Sequence, residues 1–301
     1  MIRKAIQLAG KTLVVSLPSK WAKKNNIVKG DELIVDEEEK SLVISTEKLK
    51  EREKIVLNTA ELGKYDPLYI AYLYQAGIDE IRINYDDQSV FTAIQEKLPD
   101  LMGYEIIDQG QNYVEIKNIS IELEEEFENI LRRTFHIIEE MGRSSLEAIK
   151  ENNKGKLKVV LPLENSVDKF TDFCKRVLNK RGYKDSKKTQ FYYVIIRDLE
   201  KIADYYEKIS SYVIENGFNL SKELIELYNE ANEFFSLFHK LFYKFDKDKA
   251  SEFQKKKKEL SKKANELMKT SKREELYIVY NLMSFVKMTG NLYGPYYATR
   301  I

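Results

Sequence analysis

Two acidic pairs stand in the stretches LENSVDKF (163–170) and RDLEKIADYYEKIS (197–210), and they are the most informative feature of the sequence. Within each pair the acids are four residues apart, so a helix would place both carboxylates on one face, one turn above the other. If the two helices pack side by side, four carboxylates converge and offer a metal ion a set of hard ligands. The pairs are Glu164 with Asp168 and Glu200 with Asp204.

The alternative is that these acids lie on solvated helix faces. The sequence has 49 acids in 301 residues, and chance alone supplies about eight acidic pairs at this spacing. From spacing alone, solvated acids are the default interpretation. What sets these two pairs apart is their context, because both lie beside an apolar helical stripe where neighbouring helices should meet. Two further acids, Asp172 and Glu207, extend the same faces and are additional candidate ligands.

Composition indicates a soluble, helix-rich protein of two or three domains. Hydrophobic residues make up 43% and charged residues 33% of the 301 residues, and no apolar run is long enough to cross a bilayer. The first ten residues, MIRKAIQLAG, lack the apolar segment of a secretory signal. The single cysteine, Cys174, lies on an apolar stripe and is expected to be a small buried hydrophobe in a reducing compartment. We therefore expect a cytoplasmic protein.

The two histidines, His136 and His239, each lie in a helical segment rich in aromatic residues. We expect both to pack in or beside the core. Two histidines and one cysteine are too few for a zinc finger or a histidine-rich metal site.

The N-terminal charge pattern favours contact with nucleic acid. Residues 1–30 contain seven lysines and arginines and no acid, whereas residues 31–39 contain six acids. AIQLAGKTLVVSLP alternates like a strand, SKWAKKNNI reads as a short helix after Pro18, and VKGDELIV as a Gly-Asp turn into a strand. Small β modules with one basic face grip phosphate backbones, and the alternative is a merely solvated lysine face.

Residues 3–47 resemble the AbrB family (SpoVT/AbrB-like or MazE-like) of swapped-hairpin DNA-binding domains, on the segment AGKTLVVSLPSKWAKKNNIVKGDELIV. The resemblance implies a dimer formed by interlaced strands, with basic side chains turned toward double-stranded DNA. A module this short cannot bury a core alone, so obligate dimerisation is physically reasonable. Some family members use the fold for assembly or for binding a toxin instead. The candidate DNA contacts are Arg3, Lys4, Lys11, Lys20 and Lys23, and Lys11 replaces the small residue expected after the glycine.

Residues 52–118 predict a small α/β domain. Its elements follow the order β-α-β-α-β-β, with Gly77 closing the first helix. The segment has no Gly-rich phosphate loop, no paired His or Cys and no nucleophile motif, so we expect a spacer or assembly role. The predicted strands are KIVLNT, DEIRINY, YEIID and YVEIKNI, and the predicted helices are DPLYIAYLYQAG and SVFTAIQEKL.

The remainder, residues 120–301, is predicted to be a duplicated three-helix bundle. The six expected helices span about 120–151, 156–180, 188–216, 221–246, 248–270 and 273–289. The two acidic stretches resemble the PhoU family of phosphate-signalling proteins, and the resemblance implies acidic motifs that bind iron or zinc clusters. The whole order of domains, 1–48, 52–118 and 120–301, resembles archaeal PhoU-type regulators.

The second predicted bundle departs from that pattern. Where matching acids are expected, FQKKKKELSKKANEL supplies lysines, and the last helix has no acid after Glu275. Ammonium groups cannot hold a metal, so we expect the second cluster to be lost. Asp248 and Glu252 form an acidic pair without a partner pair. The lysine run is either a solvated face or a surface that faces an anion.

The sequence thus predicts a multi-domain, homodimeric regulator linked to phosphate uptake, acting through transcription or through a phosphate transporter ATPase or another signalling partner. One alternative is a transporter accessory protein whose N-terminal domain only assembles it. A metalloenzyme is a further alternative, but those enzymes pair Glu with His in Glu-x-x-His and no histidine lies near either motif. We expect no catalytic residues and no membrane insertion. Iron or zinc is implied by the resemblance, and oxygen ligands also suit manganese or magnesium.

Overall fold

The computed structural model describes two compact units, residues 1–52 and 53–301. Within them it describes residues 1–8, 10–38, 41–46, 53–62, 64–119, 126–217 and 219–301.

The N-terminal unit consists of two hairpins and a short helix. Strands β1 (Ile6–Leu8) and β2 (Thr12–Val14) pair antiparallel, as do β3 (Leu33–Glu38) and β4 (Ser41–Thr46). The stretch that alternates like one strand is divided in two because Gly10 has a φ of +86° and the chain turns there. Helix α1 (Ser19–Lys24) follows Pro18 as predicted, and Gly30, at a φ of +100°, provides the turn before β3.

The described part of this unit has no buried core of its own. None of the side chains described in residues 1–46 is buried. Exposed apolar side chains lie on every strand, and the exposed fraction of Leu13 reaches 71%. Apolar surface of this extent marks an interaction site in a soluble protein. The largest of these exposed residues are Ile6, Leu8, Leu13, Val15, Val28, Ile34, Val35, Leu42 and Val43.

The second unit begins with the predicted α/β layer. Its strands are β5 (Lys54–Asn58), β6 (Glu80–Asn84), β7 (Tyr104–Gln109) and β8 (Tyr113–Asn118), and they form one sheet in the order β5-β6-β8-β7. Strands β5 and β6 are parallel and are connected by α2 (Tyr69–Ala76), while α3 (Gln88–Lys97) connects β6 to the antiparallel β7-β8 pair. Helix α2 ends as predicted at Gly77, which has a φ of +97°.

Seven helices complete the unit. The predicted six are α4 (Phe127–Lys150), α5 (Lys154–Arg181), α6 (Thr189–Asn216), α7 (Lys222–Tyr243), α8 (Lys247–Thr270) and α9 (Leu276–Asn291), and a short α10 (Tyr293–Ala298) follows. The predicted start of the first helix, residues 120–125, lies outside the described residues. Helix α7 ends three residues earlier than predicted because Asp246 caps α8 by accepting hydrogen bonds from the backbone of Asp248 and Lys249. No described helix is both long and apolar enough to span a bilayer.

The helices pack in two sets of three, α4-α5-α6 and α7-α8-α9, around one aromatic-rich core that contains the fully buried Cys174. Helix α5 also packs on α2 of the α/β layer. The buried Arg176 joins them: its guanidinium donates to the carbonyls of Tyr74 (3.0 Å) and Ile78 (2.6 Å) and to the carboxylate of Asp79 (2.7 Å). These contacts fix α5, and with it the first acidic pair, against the α/β layer.

Candidate metal centre

Helices α5 and α6 bring three of the predicted ligands together. Glu164 and Asp168 on α5 and Asp204 on α6 each offer a carboxylate oxygen, and these oxygens lie within 4.8 Å of one another. A cleft of about 490 Å³ opens beside them and is lined by Glu164, Asp204 and Glu207. Glu207 also accepts a hydrogen bond from the hydroxyl of Ser211 at 2.8 Å. The cluster is therefore partly sheltered and reachable from solvent.

The three carboxyl groups resist ionisation. Burial, and then the negative charges of Glu164 and Glu200, raise the pKa of Asp168 from 3.8 to about 8. Burial also raises the pKa of Glu164, and the charge of Asp204 adds to that increase. Burial raises the pKa of Asp204 too, but the charges of Lys208, whose Nζ lies 3.6 Å from Asp204 Oδ2, and of Lys201 partly offset this. A bound cation would reverse this effect by favouring the ionised forms.

One oxygen of Asp168 lacks a partner. Its Oδ1 atom is buried and accepts no hydrogen bond from any described residue. A buried carboxylate oxygen left in this state is costly unless another group satisfies it. A metal ion with a preference for oxygen ligands fits both the unpartnered atom and the surrounding negative charge.

The remaining two predicted ligands are held by a lysine. Lys175 Nζ lies 3.2 Å from Asp172 Oδ1 and also donates to Glu200 Oε2, and the lysine side chain is only 6% exposed. Asp172 accepts a further hydrogen bond from Gln75 Nε2 at 2.8 Å. Glu200 and Asp172 thus belong to a satisfied ion-pair network beside the three-carboxylate cluster. Lys175 was not predicted as a partner of these acids, although its position three residues after Asp172 was a local signal.

The two histidines have different environments. His239 is buried and stacks on Phe135 with ring centroids 4.8 Å apart, so the packing prediction is confirmed for this residue. The side chain of His136 is 61% exposed, so the same prediction is wrong for His136. The two rings nevertheless lie 4.9 Å apart, one on α4 and the other on α7. No local sequence pattern connects two residues so far apart in the chain.

The five predicted DNA contacts of the N-terminal unit are available to a partner. Each of the five is exposed and forms no ion pair with a described residue. The helix α1 carries two of them, and the others lie before β1 and in the β1-β2 turn. They are Arg3, Lys4, Lys11, Lys20 and Lys23.

The lysine run on α8 is largely engaged within the protein. Lys263 lies 3.1 Å from Glu226 and 3.0 Å from Glu230 of α7, and Lys257 donates to the carbonyl of Gly290 at 3.0 Å. Lys255 and Lys256 pair with acids of their own helix. These contacts favour a structural and solvated role for the run over an anion-binding surface.

Comparison with known proteins gives two family matches. Residues 6–54 match the model of the MazE antitoxin family, described as antidote-toxin recognition, and residues 131–213 match the PhoU domain. Both acidic stretches lie within the second match. No curated protein matches the chain.

The comparison with solved structures includes a match of low similarity. The crystal structure of the phosphate transport system regulatory protein PhoU from Streptococcus pneumoniae is 16% identical, covers 57% of this chain and 92% of its own, and aligns with a TM-score of 0.46. The family matches confirm the two resemblances found in the sequence. The chain therefore joins an N-terminal MazE/AbrB-like domain to a C-terminal region that contains a PhoU domain.

Proposed function

We propose that this protein is a cytoplasmic, non-enzymatic regulator of phosphate uptake, with a metal-binding PhoU domain and an N-terminal DNA-binding domain. The PhoU match over residues 131–213 supports the link to phosphate signalling. The observation that carries the metal site is the buried, unpartnered Oδ1 atom of Asp168 among carboxyl groups whose pKa values are raised.

The ligands in this proposal are Glu164, Asp168 and Asp204, which already lie together. Glu200 would join them only by giving up its ion pair with Lys175. A bound iron, zinc, manganese or magnesium ion would neutralise the cluster and hold α5 against α6. The protein's own contribution is to keep the carboxylates converged before the ion arrives.

Metal content tests the site directly. We expect Glu164→Ala with Asp204→Ala to remove the metal held by the carboxylate cluster from the purified protein. The melting temperature measured in the presence of metal should fall as well, because metal that binds only the folded state stabilises it. The matched control is Asp248→Ala with Glu252→Ala, which removes an exposed acidic pair at the same spacing on α8. Full metal retention in the first variant, measured by elemental analysis, would falsify the assignment.

The N-terminal unit is proposed to dimerise and to present its basic residues to double-stranded DNA. No described side chain of residues 1–46 is buried, and several apolar ones are exposed. Both observations support dimerisation, since a second copy would cover the exposed apolar side chains. Five exposed basic residues without acidic partners support contact with phosphates.

The DNA contacts are tested by the salt dependence of binding. We expect Arg3→Ala and Lys11→Ala each to reduce the slope of log K against log salt by about one, since each phosphate contact releases about 0.9 counterion. Lys269→Ala on α8, also exposed, is the control and should leave the slope unchanged. Micromolar or weaker binding to every genomic fragment, unaffected by these substitutions, would contradict DNA binding.

That negative outcome would favour a second function. The exposed apolar residues of the N-terminal unit require a partner whether or not DNA is bound. The protein would then be an accessory regulator of a phosphate transporter, assembled by its N-terminal domain and acting through protein contacts of the helices. Co-purification with the transporter ATPase, retained when the basic residues are replaced, would distinguish this function.

A further inference from the structure

A second group of possible metal ligands lies between α4 and α7. His136 and Glu139 are three residues apart on α4, and His239 faces them from α7. Glu139 Oε2 lies 3.1 Å from His239 Nδ1 and 3.7 Å from His136 Nδ1. Each of the three residues offers a ligand atom within 4.8 Å of the other two.

We propose that His136, Glu139 and His239 form a binding site for a divalent transition-metal ion, separate from the carboxylate cluster. Two imidazoles and one carboxylate suit iron(II), zinc or manganese and leave coordination positions open. Ligand atoms on a tetrahedral zinc ion, at bond lengths of about 2.0–2.1 Å, are about 3.3 Å apart. The two separations of 3.1 and 3.7 Å bracket that value.

Packing holds two of the three ligands in place. The imidazole of His239 is stacked on Phe135, with an angle of 6° between the rings, and meets Tyr243 edge to face. Its side chain is 11% exposed and that of Glu139 is 26% exposed. His136, at 61%, closes the group from the solvent side. The site is therefore largely preformed, and a metal ion can reach it.

The surroundings favour a cation. A cavity of about 610 Å³ opens beside the group and is lined by two of its members, His136 and Glu139. Four carboxylates and two basic side chains line it, and one of the basic side chains, Arg143, is paired with Glu140 and Glu147. The remaining lining is mostly polar, so water or a small polar molecule could occupy open metal positions. The charged residues around the cavity are Glu139, Glu140, Glu147, Glu233, Arg143 and Lys150.

A simple ion pair explains only part of this arrangement. His239 and Glu139 could pair without a metal, as buried polar groups do. That pairing leaves out the second imidazole, that of His136, whose Nδ1 lies 3.7 Å from the same carboxylate oxygen. A shared metal ion accounts for all three groups.

The test uses the full-length protein with Glu164→Ala and Asp204→Ala, so that the carboxylate cluster cannot contribute. After chelator treatment, zinc is titrated by calorimetry, and copper(II) is added to a second sample for electron paramagnetic resonance. We expect one zinc equivalent and nitrogen hyperfine splitting from two imidazoles. Loss of an outer hydrogen bond to a ligand weakens metal binding about 10–100-fold, so His136→Ala or Glu139→Gln should weaken zinc binding at least 100-fold.

The controls separate the site from the fold. Glu223→Gln, at an exposed position near the start of α7, should change zinc affinity less than fivefold. His136 is exposed and Glu139→Gln keeps the side-chain shape, so both variants should fold as the parent does by circular dichroism. Unchanged zinc affinity in both variants, or a copper spectrum without nitrogen splitting, would overturn the proposal. The outcome is independent of the proposed carboxylate site.

Discussion

Replacing Asp168 by asparagine should stabilise the metal-free protein while weakening its metal binding. Asparagine has nearly the same shape as aspartate but no charge. In the folded, metal-free protein, burial and the negative charges of Glu164 and Glu200 oppose the ionisation of Asp168. Removing the charge therefore removes a cost of folding, whereas with a metal present it removes a ligand.

The size of the effect follows from the pKa. Because the folded-state pKa of Asp168 is raised from 3.8 to about 8, its contribution to stability is fully present below about pH 4 and is lost as the pH rises toward 8. At pH 7 the full free-energy cost of placing Asp168 in its folded environment follows from the difference between pH 7 and its ordinary pKa of 3.8. At 1.36 kcal/mol per pKa unit this cost would be about 4 kcal/mol. The side chain is only partly buried, and solvent screening reduces this to about 2 kcal/mol. For a unit of this size that is about 4–8 °C in melting temperature.

Thermal unfolding of chelator-treated protein between pH 4 and pH 9 measures this difference. We expect the stability advantage of Asp168→Asn over the wild type to be near zero at pH 4, to grow up to about pH 8 and then to level off. Asp248→Asn, at an exposed position on α8, should change stability by less than about 0.5 kcal/mol. A metal-free Asp168→Asn protein that is less stable than the wild type at pH 8 would refute the reasoning.

Two further predictions concern the fold and the assembly. Arg176→Met should destabilise the protein by about 3 kcal/mol in denaturant unfolding. The buried carboxylate of Asp79 would lose its guanidinium partner and keep Lys180, and the carbonyls of Tyr74 and Ile78 would lose a donor. The exposed Arg143→Met should cost less than about 1 kcal/mol, and equal losses would contradict the argument. Leu13→Asp should convert the proposed dimer to monomer in sedimentation experiments, because Leu13 is 71% exposed and should be covered by the second copy. Val159→Asp, at a position on α5 that is 73% exposed, should leave the dimer intact. A dimer retained in both variants would place the interface elsewhere.

Much of the helical region was predictable because its signals are local. Apolar periodicity identified α4 to α9, and Gly77 marked the end of α2. The same periodicity correctly placed Glu164, Asp168 and Asp204 beside the helix contact, and the structure brings these three together.

Helical periodicity alone does not predict which side chains of a neighbouring helix contact the acids. The helical period gives the face of a residue but not how far one helix is shifted along another. That shift places Lys175 between Asp172 and Glu200. It likewise brings His136 within 4.9 Å of His239. Pairs separated by many residues were therefore missed even though each residue's own helix was predicted correctly.

The contrast between two groups of acids on the same helices supports a cation at Asp168. Asp172 has a lysine three residues later, and the buried Asp79 is paired with Arg176, so this protein neutralises buried carboxylates where its own side chains can do so. Around Asp168 the positions three and four residues away on α5 carry an asparagine, a threonine and two acids, and none carries a base.

The lysine next to Asp168 in the sequence, Lys169, does not supply the missing positive charge. Lys169 donates to the carbonyl of Pro99 in the α/β layer instead. In most of a folded protein, the surroundings of each side chain suit its charge and polarity. A place where they do not is typical of a functional site. Lys208 lies 3.6 Å from Asp204 and compensates that member of the cluster, but no base pairs with Asp168 among the described residues. One buried oxygen of Asp168 accepts no hydrogen bond from the described residues, as expected of a protein whose missing positive charge at this position comes from outside the chain.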